Sequence, residues 1–199
     1  YREKKFHHKR MVPRPLKPEE LTGIDFVLCT HGHTDHMDPG SLPGLAEANP
    51  DCIFICPAAE RAKALERGVP EDRFVGLDAG MAFSGSCERA AGSAGAVGAA
   101  GAVLRVSAVA SAHEQLAEDS EGRSLYLGYV IDINGVKLYH SGDCIPYDGL
   151  EFHIAKQNVD IALLPVNGRD EYRKSNGVPG NFTVNEAVQL CLAAGVKTL

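Results

Sequence analysis

Apolar residues in this chain come in short blocks, each ended by glycine, proline or a run of polar side chains. IDFVLCT (24–30) is β-branched and aromatic and reads as a buried strand. CIFIC (52–56) and RFVGL (73–77) read as two more, with helices predicted in PGSLPGLAEAN (39–49), Pro39 near its start, and in PAAERAKALERG (57–68), closed by Gly68. VLRVSAVAS (103–111) is a fourth strand. SLYLGYVIDINGVKLYHSGD (124–143) is a hairpin around Asn134-Gly135, the dipeptide that tolerates positive φ at a tight turn. VDIALLPV (159–166) is a further buried strand, and VKTL (196–199) begins another. TVNEAVQLCLAAG (183–195) is an amphipathic helix with Thr183 or Asn181 as N-cap and Glu186 at the capping-box spacing. VPRPLKPEEL (12–21) ends in a short helix, and RAAGSAGAVGAAGA (89–102) is low in complexity and reads as an irregular loop. The order of elements implies a layered α/β fold in a single domain over 1–199.

That pattern places polar, chemically capable residues just past the strands: His31, His113, Asp143 and Asn167. Strand ends of a layered α/β fold converge on one rim, so rigid elements can aim these groups at one site.

Composition narrows the class. With 44% apolar and 23% charged residues, the chain reads as globular rather than disordered. A net charge of -6 argues against a nonspecific nucleic-acid binder, and the basic run YREKKFHHKR reads as a solvated arm. No apolar run is long enough to span a membrane and no signal peptide is evident, so no membrane partner is expected. Cys29, Cys52, Cys56, Cys87, Cys144 and Cys191 have no C-x-x-C pairing, and buried free thiols in a reducing cytoplasm are the simplest reading. The chain starts at Tyr1, which suggests a fragment or a processed form.

The chemistry concentrates in THGHTDH (30–36). In extended backbone His31 and His33 point to one side, and Asp35 and His36 follow in a turn that can face the same cavity. Gly32 allows a close approach. Imidazoles and carboxylates without thiolate suit Zn, Mn or Fe. Four donors this close are hard to aim at one ion, so two divalent ions are expected.

H-x-H-x-D-H, a later isolated His113 and the Asp143 of HSGD resemble the metallo-β-lactamase superfamily. Within it, PRPLKPEEL, IDFVLCTHGHTDHMDP, SAHE, LGYVIDINGVKLYHSGD, DGL, LLPVNGR and NFTVNEAVQL look like the L-ascorbate-6-phosphate lactonase family. The resemblance implies an αββα four-layer sandwich, incomplete at both termini, lacking upstream strands and a last metal-binding His. It implies that His31, His33 and His113 hold a first metal, Asp35 and His36 a second, weaker one, and that Asp143 bridges them. Metal-activated hydroxide would attack a lactone carbonyl, with Asp35 or Asp143 taking the proton. A phosphodiesterase of the same superfamily and a metal-binding fragment without turnover are the alternatives.

Around that centre, Arg169 is a bidentate donor for an anionic or phosphorylated small substrate, with Asn167 and Tyr147 lining the pocket beside it. Glu114 is placed to orient an imidazole. His140, inside a strand, reads as packed or supporting rather than as a ligand, and Cys144 as a small packing residue where the family pattern suggests Thr. A homo-oligomer is the expected assembly.

Overall fold

The structure, a computed structural model, describes residues 12–87 and 102–199. A parallel three-stranded sheet runs in the order β1 (Phe26–Leu28), β2 (Ile53–Pro57), β3 (Phe74–Leu77). A five-stranded sheet runs in chain order through β4 (Ala82–Cys87), β5 (Ala102–Ala110), β6 (Leu127–Ile133), β7 (Val136–His140) and β8 (Ile161–Leu163). It is antiparallel from β4 to β7, and β8 lies parallel to β7. The helices are α1 (Leu42–Ala48), α2 (Arg61–Glu66), α3 (Leu150–Gln157), α4 (Glu171–Ser175) and α5 (Val184–Ala194).

Side-chain alternation sorts the apolar residues into three cores and so fixes the layers. Phe54 and Cys56 of β2 face α1 and α2, where they pack with Cys52, Leu42 and Ala64. Ile53 and Ile55 face the other way and meet Leu104, Val106, Leu127 and Tyr129 between the sheets. Val130 and Tyr139, on the far side of the second sheet, pack with Leu150, Ile154, Ala187 and Cys191 of α3 and α5. The result is helix, sheet, sheet, helix, the four layers expected. No helix among the described residues is long and apolar enough to cross a membrane.

Several boundaries differ from the sequence pattern. The strand expected over 24–30 ends at Leu28. Beyond it the chain crosses between sheets: Cys29 N–H still donates to Ile55 O, but Thr30 O accepts from Leu127 of β6 at 2.9 Å. The strand expected over 159–166 is only Ile161–Leu163. VKTL contributes one parallel bridge, Thr198 to Ile161. The helix expected over 57–68 opens as a 3-10 turn, Ala58–Glu60, before α2. The short helix expected before Leu21 is a 3-10 turn, Pro18–Glu20. Pro43, not Pro39, sits in the first turn of α1. β4, α3 and α4 were not anticipated. Most of the low-complexity stretch lies outside the described residues, and its last residue, Ala102, opens β5.

Both Asn134 (φ 53°) and Gly135 (φ 85°) take positive φ between β6 and β7, as the hairpin dipeptide requires. No disulfide joins any of the six cysteines among the described residues, and Cys52, Cys56 and Cys144 are fully buried packing residues.

Candidate metal centre

Three strand ends supply the site. Thr30–His36 follow β1, His113 follows β5 and Asp143 follows β7. The crossing at Thr30 continues in an antiparallel bridge between His31 and Tyr126. The rest of the histidine loop is a tight turn, with His36 and Met37 N–H both donating to His33 O. Arg67, just past α2, ties it down by donating to Gly32 O (2.8 Å) and Met37 O (2.9 Å). At Gly32 a Cβ would lie 2.6 Å from the Glu60 carboxylate, so a larger residue there would have to push the ends of the Glu60 and Lys63 side chains aside.

His31, His33 and His113 bring one donor atom each to within 4.8 Å of one another, and so do His31, His36 and Asp143. His31 Nε2 lies 3.1 Å from His33 Nδ1. Asp143 spans the two groups: Oδ1 is 3.4 Å from His36 Nε2 and Oδ2 is 3.5 Å from His113 Nε2. Tyr126 walls the centre, its ring 5.2 Å from those of His31 and His113. His31 and His113 form a buried floor, while His33 and Asp35 are exposed at the mouth. Asp35 comes within 3.7 Å of His36 Nε2 but joins neither ligand group.

Burial, then the neighbouring imidazoles, pushes His31 down to about 2, and burial foremost lowers His33 and His113 as well. For His36 burial is outweighed by the hydrogen bond and charge of Asp143, so its pKa is raised. The same contacts overcome burial at Asp143 and lower its carboxyl to about 2.

These residues fit divalent ions. Thr30 Oγ1 lies 3.1 Å from Nδ1 of both His31 and His36. A hydroxyl oxygen has two lone pairs and can accept both Nδ1–H groups, leaving both Nε2 atoms free to ligate. His113 Nδ1 is buried without a hydrogen-bond partner among the described residues. The set is all nitrogen and oxygen, the donors that Zn, Mn and Fe share.

The residues expected around the substrate are placed differently. Arg169 is committed, its Nη1 and Nη2 donating to Glu186 at 2.7 and 2.6 Å. Tyr147 donates its hydroxyl to Ala110 O at 2.6 Å. Asn167 is exposed and its carbonyl accepts from Arg173. Glu114 is exposed, in left-handed backbone at φ 75°, with no hydrogen bond to His113. His140 Nδ1 accepts from Gly142 N–H and belongs to neither ligand group. Cys144 packs in the core and donates to Ile145 O. Thr30, Tyr126 and Asn181, which does touch Asp143, were not singled out for the centre. Thr30 adjoins the histidines in the motif, but nothing local marks the other two.

A family model for the beta-lactamase superfamily domain matches residues 2–199, and the chain belongs to that family. It is similar to a metal-dependent hydrolase of Archaeoglobus fulgidus, 28% identical over 179 residues, 88% of this chain and 66% of the relative. It is 30% identical over 64 residues, 32% of this chain and 18% of the relative, to N-acyl-phosphatidylethanolamine-hydrolyzing phospholipase D 1 of Caenorhabditis elegans. Its fold resembles that of the metallo-beta-lactamase fold protein YhfI from Bacillus subtilis, with TM-score 0.59 at 15% identity, over 92% of this chain and 64% of that one. The chain spans between 50% and 66% of the length of the metal-dependent hydrolases it matches.

Proposed function

We propose that this chain carries the reaction centre of a metal-dependent hydrolase, built on His31, His33, His36, His113 and Asp143. One observation carries the reading: donors from three separate strand ends, on two sheets, meet within 4.8 Å in two groups that share His31. His31, His33 and His113 would hold one ion. His36 and Asp143 would hold the second, with Asp143 between the two. Divalent ions there would supply Lewis acidity and make water a usable nucleophile near neutral pH.

The chain's own residues do the rest. Thr30 fixes two rings through Nδ1. The buried floor of His31 and His113 excludes bulk water from below, so the substrate enters past His33. Asp35, exposed at the mouth with Oδ2 3.7 Å from His36 Nε2, would take a proton from water and exchange it with solvent. Asp143 holds the two halves of the cluster in register.

The substrate we favour is a phosphorylated sugar lactone, on the motifs that resemble the ascorbate-phosphate lactonases. The oxygen of a water would add to the lactone carbonyl carbon as the water gives a proton to Asp35, the carbonyl–oxygen ring bond would break, and a proton would pass to the departing alkoxide, leaving a hydroxy acid. A phosphodiester is the second reading, favoured by the similarity to the phospholipase. The test is turnover by the chain loaded with Zn or Mn, assayed on a phosphorylated lactone and on bis(p-nitrophenyl) phosphate. Opening of the lactone, lost in His33→Ala together with bound metal, supports the first reading. Cleavage of the diester alone supports the second. Metal bound without either activity overturns both.

A further inference from the structure

Asn181 is 5% exposed, and among the described residues its side chain makes a single hydrogen bond, from Nδ2 to Asp143 Oδ1 at 3.3 Å. A carboxylate only accepts, so the amide must present its NH2 group there. Its Oδ1 is buried with no partner among the described residues. A residue kept for core stability would satisfy both ends of its amide, because a buried unsatisfied acceptor is costly. Asn181 satisfies only the end that faces Asp143.

The bond acts on the right torsion. The Asp143 backbone is held independently, its carbonyl accepting from Ser111 Oγ at 3.1 Å. What stays free is rotation of the carboxylate, which decides whether one oxygen faces His36 while the other faces His113. Asn181 pins the oxygen on the His36 side.

Asn181 is itself clasped. Its N–H donates to Gly168 O, and Gly168 N–H donates to Phe182 O. Its carbonyl accepts from Arg169 Nη1 at 3.1 Å. The same guanidinium grips Glu186, whose carboxylate accepts from Thr183 N–H in the α5 capping box. Gly180 lets Arg169 lie close, since a Cβ there would collide with that of Arg169.

We propose that Asn181 is a positioning residue for Asp143, and that Arg169 positions Asn181 from the α5 cap instead of gripping substrate; the inference rests on the metal-centre reading above. The test is Co(II) titration of the wild-type chain, Asn181→Leu and Arg169→Met, reading the visible absorption band and the affinity against a competing chelator. Thermal unfolding of each metal-free chain controls for folding, and kcat and KM are measured on whichever substrate is turned over. N181L is expected to bind Co(II) at least about tenfold more weakly, the loss typical when a ligand's supporting partner is removed, with an altered band. Its kcat should fall with KM unchanged. R169M should weaken binding in the same direction by roughly two- to fivefold, the worth of an exposed ion pair, also without a change in KM. Wild-type affinity and band in N181L overturn the proposal. A raised KM in R169M with unaltered Co(II) binding overturns the role given to Arg169. Should N181L fail to fold, R169M, changed at a half-exposed pair, decides the matter alone. A wild-type chain that takes up no Co(II) overturns the metal-centre reading itself, a result distinct from the others.

Discussion

Thr30 shows how one hydroxyl can organise a site made of rings. It reaches Nδ1 of both His31 and His36, so Thr30→Val, nearly the same in shape, frees two imidazoles at once. We expect metal affinity to fall about 10- to 100-fold, as for other partners that orient ligands. Thr30→Ser should restore most of it, and calorimetric titration with Zn or Mn measures both. Gly142 is the second sensitive position. It sits at φ 64°, and a Cβ would lie 2.8 Å from Thr30 Cβ and 3.0 Å from Leu127 O. Gly142→Ala should therefore destabilise the fold by about 1–3 kcal/mol, the usual range for forced backbone strain, and lower metal uptake by displacing both Thr30 and Asp143. Urea unfolding of the metal-free chain measures the first effect. At this scale the sequence was readable where residue type alone sets the chemistry. Three histidines in six positions announce nitrogen donors, and all three fall in the candidate groups, whereas Asp35 of the same motif joins neither. Asn181 could not be read the same way, because its role depends on a carboxylate 38 residues away in sequence. The place of Arg169 past a strand suggests a substrate contact but says nothing of its partner Glu186, which comes from the first turn of α5.

The elements that were readable carry their own local signals. Asn134-Gly135 specifies its hairpin by φ alone, and α5 opens on a capping box in which Thr183 and Glu186 satisfy each other's backbone N–H. β4 carries no such signal. AFSGSC is mostly small side chains, and all six residues become strand by pairing with β5, while Gly85 makes room for the Phe26 ring. The N-cap of α3 is Gly149, in left-handed backbone and without a side chain to cap the helix, so nothing marks its beginning. The α5 cap also gives a pH dependence. The bond from Arg169, with lesser help from Thr183, overcomes partial burial and lowers the Glu186 carboxyl from 4.5 to about 2. A folded-state pKa below the unfolded value stabilises the fold above the unfolded pKa, and the contribution disappears as pH falls through the folded one. Wild type should thus exceed Glu186→Gln in thermal stability at pH 6, and the gap should narrow between pH 4.5 and 2. Melting curves of both proteins across that window test it; a gap that is constant or widens at low pH contradicts it.

On the scale of the molecule, the cluster sits where two sheets that share one core, and each have a further core of their own, meet at their rim. His31, His33 and His36 hang from the parallel sheet, whose outer face packs on α1 and α2. His113 and Asp143 hang from the second sheet, whose outer face packs on α3 and α5. The shared core between the sheets lies below the site, and at the rim the two halves meet through Thr30, the His31–Tyr126 bridge and the ligand groups. Alternating strand and helix blocks over residues 24–77 made a layered α/β fold legible, but the four layers were implied by the family resemblance, since β4 to β7 follow one another with no helix between them. The crossing of the chain at Thr30 was not legible, because IDFVLCT reads as one strand whichever sheet its last residues join. An ion held by both halves, as proposed above, would act as a clasp between layers, and its removal should be felt in global stability. Metal at about 100 times its dissociation constant stabilises the folded state by about 2.7 kcal/mol. For a domain of this size each kcal/mol shifts Tm by about 2–4 °C, so a chelator should lower Tm by roughly 5–11 °C. His31→Ala, which removes the ligand common to both groups, should melt at the same temperature with and without chelator. Amide exchange should rise on chelation at residues 29–37, 111–113 and 141–145, which come from both sheets, and stay slow in β2 and β6. Exchange that rises in the 29–37 loop alone would mean that the ion sits on one layer and that the two-sheet clasp is wrong.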